Sequence, residues 1–335
     1  MPYVYTHGSG TENDPYQVWT ADDLDGVRDH LSSYFVQMAN INLKNASYVS
    51  PPTSNDIGWL PIGRFWTGSA WSVTGFTGKY DGQGYNIANL STDWGSELVG
   101  RSGLFAYCYG NDAVLENIHV IGADIIGCGS QSGILVGMIE SWDNNPVTIY
   151  QCSVQGTVSN ATSGYRLGGI VGEAMIWPID TCNIQECKAD VIITGCEDIG
   201  VFAGITSATI KNCYARGKII GRHYENPSWT SASLGGFIGL SWGEIENCYS
   251  AVEMDIESGI NNVGGFCGED WGMGTFTSCY YDKELNGVVE DGFGEPRTTA
   301  QMVYPYSDPE NVYINWAFYG EDFDPVWAHD KGGQK

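Results

Sequence analysis

Hydrophobic and polar positions along the chain fall into three regimes. In the first, Leu24, Val27, Leu31 and Tyr34 recur at helical spacing behind Thr20-Ala-Asp-Asp23. The Thr20 hydroxyl can accept from the backbone N–H three residues on, and the acids lie near the positive end of a helix, so one is predicted from about Ala21 to Ser33. Its apolar face would seal the open end of a stack. In the second regime the period drops to two. Tyr34 to Leu43 reads as a first strand, and Phe76 to Leu90 as two short strands around Asp81-Gly82-Gln83-Gly84, where regular coiling is expected to begin.

The third regime runs from Gly103 to Tyr281 and repeats one phrase six times. Its glycine-bracketed half begins at Gly103, Gly133, Gly169, Gly200, Gly236 and Gly265, at intervals of 30, 36, 31, 36 and 29 residues. Its second half is a strand ending at Ile118, Cys152, Cys187, Cys213, Cys248 and Cys279, and a third alternating strand follows. Self-similarity at this period marks units that cannot bury their own apolar faces and must stack on one another. Three strands per repeat are predicted, one of them the glycine phrase itself. Six coils at a strand spacing of ~4.8 Å would make a rod ~29 Å long before its caps. The expected organisation is one all-β solenoid domain over residues 1–335. It divides into an N-terminal cap and first strand (1–43), irregular lead-in coils (44–102), six repeats (103–281), and an aromatic C-terminal cap and tail (282–335).

Composition sharpens this picture. Glycine is abundant, at 45 of 335 residues, which suits many tight turns. The formal net charge of −25 repels phosphate backbones and anionic membrane surfaces, so nucleic acid is excluded as a partner. No stretch of the ~18 apolar residues that membrane crossing needs is present, and residues 1–10 lack a basic start followed by an apolar run. Membrane insertion and a secretion signal are therefore not expected in this chain. Of ten cysteines, five share one slot with Ile118, which makes that slot apolar and predicts a ladder of stacked thiols rather than bridges. The sequence leaves Cys108, Cys128, Cys182, Cys196 and Cys267 open.

The phrase Gly-Gly-Phe-Ile-Gly239 followed by Gly243-Glu-Ile-Glu-Asn-Cys-Tyr249 resembles the GLUG repeat, found in large bacterial surface proteins, including some adhesins and immunoglobulin A-cleaving peptidases. The resemblance covers residues 103–281, and Phe76 to Leu90 looks like the lead-in rung of such proteins. It implies a right-handed parallel β-helix and carries no catalytic residue. A second cysteine between Thr181 and Cys187, and a fourth repeat without an aromatic loop, depart from the pattern.

Candidate chemistry lies in the loops. Trp142, Trp177, Trp242 and Trp271 stand at nearly equivalent positions, accompanied by Glu140, Asp143, Glu173, Asp180, Glu244, Glu269 and Asp270. On a solenoid the four rings would form one column. Flat aromatic faces beside hydrogen-bonding acids suit a sugar surface, and an aromatic stack that only staples loops is the competing reading. Tyr214, Tyr249 and Tyr280 follow the ladder cysteines and should point outward, as a stack or an interface. Trp59, Trp66, Trp71 and Trp94 form a further patch, either cap core or binding surface. No zinc motif, nucleophile elbow or phosphate loop is present, although acidic loops could hold Ca²⁺. The leading expectation is a non-enzymatic recognition or adhesion module on a cell envelope or virion surface, contacting glycan or a host-surface receptor. The alternatives are a polysaccharide-cleaving lyase or hydrolase, and a structural element that docks on partner proteins or further copies of itself.

Overall fold

A computed structural model describes residues 2–45, 58–66, 71–93, 100–126, 130–142, 145–159, 165–177, 181–222, 232–287 and 293–302. Trp94, Cys128, Asp143, Asp180 and the aromatic patches after residue 302 lie outside the described residues, as do the side chains of Trp66 and Trp71. The fold is a parallel β-solenoid. Its strands stack in register into four long sheets, of nine, ten, five and six strands among the described residues, and every pairing within them is parallel.

The complete coils use all four sheets. In one complete coil the chain passes through Ser130–Gly133, bends, and returns through Val136–Trp142. It continues through Val147–Tyr150, turns at Cys152, and closes with Ser153–Ser159 before the next coil repeats the path one rung on. We call the first two sheets the inbound and outbound walls. The glycine phrase, expected as a strand, is instead the bend that joins them. Its middle residues are fully buried at the tip: Ile134 and Leu135, Ile170, Phe202, Phe237 and Phe266. Phe202, Phe237 and Phe266 stack there with ring centroids 4.6 and 4.9 Å apart.

The bracketing glycines exist because the two walls lie back to back. A methyl group at Gly172 would sit 2.4 Å from the backbone nitrogen of Ser132, and one at Gly239 2.6 Å from the carbonyl carbon of Asp198. Any side chain there would pry the walls apart. Beyond the glycines the walls carry longer side chains that face each other across a narrow cleft.

The cysteine slot is a buried ladder. All nine described cysteines are free thiols, and Cys152, Cys187, Cys213, Cys248 and Cys279 are buried in successive coils. The residue before each holds a left-handed backbone, from Gln151 (φ 51°) to Ser278 (φ 51°), which forces a tight corner. Each thiol donates to the carbonyl two residues back, at 3.1 Å in Cys187 and Cys213. A small side chain with one weak donor suits such a corner. Of the cysteines left open, Cys108, Cys182 and Cys267 are also buried, and burial pushes the Cys182 thiol up to about 12.

The ends differ from expectation in four places. Stacking begins at Tyr16–Val18, which pairs with Tyr34–Gln37, well before residue 76. The N-terminal helix covers only Ala21–Gly26, with a 3₁₀ turn over Val27–Asp29. Thr20 and Asp23 form the capping box, but the chain after Asp29 is held by Tyr3, whose N–H donates to Asp29 and whose carbonyl meets His30. The segment after Tyr281, expected only as a cap and tail, holds a short helix, Lys283–Asn286, and Glu295–Arg297 adds another rung. Thr298 to Met302 forms a single hydrogen-bonded turn.

Candidate ligand-binding face

The cleft between the walls is lined by two ladders. On the inbound wall Arg101, Gln131, Arg166, Asp198, Ser233 and Asn262 occupy one register position. Each from Gln131 on lies six residues before the closing glycine of its phrase, and Gln131, Arg166 and Asp198 all carry left-handed backbones. The outbound wall answers with Tyr107, Met138, Glu173, Ile205, Leu240 and Glu269.

The polar members of these ladders are paired across the cleft. Glu173, almost wholly buried, accepts from Gln131 and from Arg166 at 2.7 Å. Glu269 accepts from Ser233 at 2.7 Å and Asn262 at 2.9 Å. The Arg101 guanidinium lies 4.4 Å over the Tyr107 ring, and the Tyr107 hydroxyl donates to Glu140. Burial, followed by that bond, raises the Tyr107 hydroxyl pKa, so the group stays a neutral donor. Asp198 is the exception: 7% exposed, it has no hydrogen bond or ion pair among the described residues.

Further out on the outbound wall the four tryptophans form two pairs rather than one column. Trp142 and Trp177 are register partners, 42% and 58% exposed, and no ring contact joins them. Trp242 follows Ser241, which stands opposite Thr206 and thereby Ala174, so it lies two positions earlier in register than Trp177. Its ring stacks on Trp271 at 4.9 Å and 7° and closes over Ile205 and Leu240, with Met175 packed alongside. Trp242 is 7% exposed and Trp271 60%. The intervening coil presents Thr206-Ser207-Ala208 and no ring.

The accompanying acids are dispersed. Glu140 and Glu173 lie within strands of the outbound wall rather than in loops. Asp270 caps its own loop, accepting from the backbone N–H groups of Gly272 and Gly274 at 2.9 Å each. Glu244 is exposed on the next sheet, opposite Thr275. Of the lead-in tryptophans, Trp59 is fully buried and donates from its ring nitrogen to the Leu104 carbonyl at 3.1 Å, so it is core. Trp66 and Trp71 are opposed in a short antiparallel pair. Tyr214 and Tyr249 stack at 5.0 Å and 3°, while Tyr280 is buried. Among the described residues no three His, Cys, Asp or Glu side chains are grouped to hold a metal ion, and no helix is long and apolar enough to cross a membrane.

Sequence reasoning missed the inbound ladder. The available signal was its constant offset of six residues before the closing glycines Gly137, Gly172, Gly204, Gly239 and Gly268.

No protein-family model matches the chain. It is 28% identical, over 97% of its length, to a protein of Evansella cellulosilytica named provisionally as a Gly-rich membrane protein, and covers 44% of that protein. It is 26% identical, over 88% of its length, to halomucin of Haloquadratum walsbyi, of which it covers 3%. The chain thus spans less than half of the first relative and a small fraction of the second. Among solved structures it resembles a Bacteroides ovatus protein whose description as an immunoglobulin A1 protease is provisional, with a TM-score of 0.63 and 17% identity over 89% of this chain and 88% of the other. That likeness establishes the fold: a parallel β-solenoid.

Proposed function

We propose that this chain is a recognition module of a surface-exposed protein, and that it contacts neutral or cationic glycan through Trp142 and Trp177. One observation carries the reading: two tryptophans on adjacent strands, exposed, in register and with no ring contact between them, with Glu140 two residues before Trp142 on the same strand. Such rings can cover the C–H faces of sugars while an acid accepts from hydroxyls. The net charge of −25 favours neutral or cationic ligands over acidic ones. The surface setting is supported by the names of the two longer relatives, a membrane protein and a halomucin.

A glycan array with physiological calcium tests this. Binding should be lost in Trp142→Ala and Trp177→Ala and kept in Trp242→Phe, which preserves the closed pair's packing. Full binding in both alanine variants would remove the platform from the reading.

A further inference from the structure

We infer that the cleft around Asp198 is a binding niche for a primary ammonium group, separate from the tryptophan platform and independent of it. Asp198 shares a register position with Arg166 one rung before and Ser233 one rung after. Both neighbours send their side chains across the cleft, Arg166 to Glu173 and Ser233 to Glu269. Asp198 stands opposite apolar residues instead: Ile205 occupies its rung of the outbound wall and Leu240 the next. It is therefore a residue 93% removed from solvent whose side chain finds no hydrogen-bond or ion-pair partner among the described residues, at a ladder position where both neighbours reach across the cleft. Buried charges are ordinarily paired, and an unpaired one in a cleft marks a position left for something else.

The groups around it set the chemistry of the occupant. Glu197 adjoins it on its own strand, and Glu173 and Glu269 act on it from the opposite wall. Arg166 is the one cation of this set; its Nη1 is held by Glu173, its guanidinium lies 5.1 Å over the Tyr165 ring, and although its charge acts on Asp198 it makes no hydrogen bond to it among the described residues. Cys196 lies two residues before, its thiol raised to about 11 by burial and by Glu197 and Asp198. Four carboxylates against one committed guanidinium leave the niche negative, so it repels anions and gains most from a cation that can donate hydrogen bonds. Among the described residues no set of side chains is grouped to hold a metal ion, which favours an organic cation here. A primary ammonium, compact and with three donors, fits one carboxylate in a narrow cleft better than a guanidinium does.

Two sources carry this group, an amino sugar and a lysine side chain, and the probes separate them. Glucosamine, N-acetylglucosamine and a short acetylated lysine peptide are titrated against the whole chain, with the Asp198 side-chain carboxyl carbon followed by NMR. Burial and then Glu197 push the Asp198 carboxyl up to about 7, so affinity for the lysine peptide should rise through that pH and level off above it, while that for glucosamine should fall again as its own amine loses its proton. The lysine peptide at pH 8, and glucosamine at pH 7 where its amine is still largely protonated, should bind at least tenfold more tightly than N-acetylglucosamine at the same pH, and bound amine should lower the Asp198 midpoint. Asp198→Asn, which tolerates the left-handed backbone, should abolish the preference. Equal binding of the acetylated sugar, an unmoved midpoint or undiminished amine binding by Asp198→Asn would each overturn the inference. Because Trp142→Ala should leave simple amine binding intact, failure of the platform and failure of the niche are read separately.

Discussion

Trp142 and Trp177 occupy the same wall as Trp242 and Trp271, follow the same phrase and differ by two positions in register. That difference divides their roles. Two residues nearer the bend, Trp242 reaches the outward-facing apolar residues Ile205 and Leu240 and becomes their cover, with Trp271 stacked on it. Two residues further out, Trp142 and Trp177 pass beyond the apolar rungs and remain exposed. A solenoid repeats its backbone every coil, so a small change in where a side chain leaves the wall decides whether it serves the fold or the solvent-facing surface. Trp242 and Trp271, the upper pair, fit the stapling role; Trp142 and Trp177, the lower pair, stay exposed.

The sharpest break of this comparison is stability. Trp242→Ala uncovers Ile205 and Leu240 and should cost about 3–5 kcal/mol, the range of large aromatic truncations in packed sites. Trp177→Ala should change stability by no more than about 0.5 kcal/mol, as surface substitutions do. Denaturant unfolding of the two variants checks this, and a similar loss in both would dissolve the distinction between the pairs.

Next in size is an effect on the coil between the pairs, the one that lacks a tryptophan and carries Asp198. Its folded pKa of about 7 lies above the ordinary carboxylate value of ~3.9. Between those pH values the folded protein keeps a proton that the unfolded chain releases, so this site's contribution to stability falls as pH rises, by at most about 1.4 kcal/mol per unit. Asp198→Asn mimics the protonated form and removes the dependence. The variant should match the native chain near pH 4 and exceed it by roughly 2–4 kcal/mol above pH 7. A difference independent of pH would mean that Asp198 is not the strained group of the cleft.

Much of this was legible before any coordinates. The cysteine slot gave itself away by sharing a position with Ile118, and its burial and free thiols follow from that apolar setting. The glycine phrase was misread as a strand because a buried tip and a buried strand both present a short apolar run, and three residues cannot separate the two by period. The split of the tryptophans was written in the spacing: Trp142 and Trp177 lie five residues after the second glycine of their phrases, Trp242 and Trp271 three. The inbound ladder was harder to see, since Arg, Gln, Arg, Asp, Ser and Asn share a register position and no common chemistry. Its partners lie on the opposing wall, as in Arg166 with Glu173 and Asn262 with Glu269, each seven residues on. Trp59 sits in a lead-in without repeats, where no periodicity indicates which way a ring faces.

The smallest expected effect distinguishes the pairs most directly, because it measures the rings against each other rather than against the core. In a double-mutant cycle the joint truncation of two residues is compared with the sum of the separate ones. Trp242 and Trp271 are stacked nearly parallel, so their cycle should return a coupling of about 0.5–1.5 kcal/mol. Trp142 and Trp177 stand in register without touching, so theirs should fall below about 0.5 kcal/mol, the scatter of independent sites. With a glycan bound, the second cycle should change: a ligand spanning both rings makes the loss of one weaken the other's contact, and coupling should appear in the binding energy while remaining absent from the folding energy. Coupling in folding for the lower pair would show that it too is a staple, and additive binding losses would show that each ring meets the ligand alone.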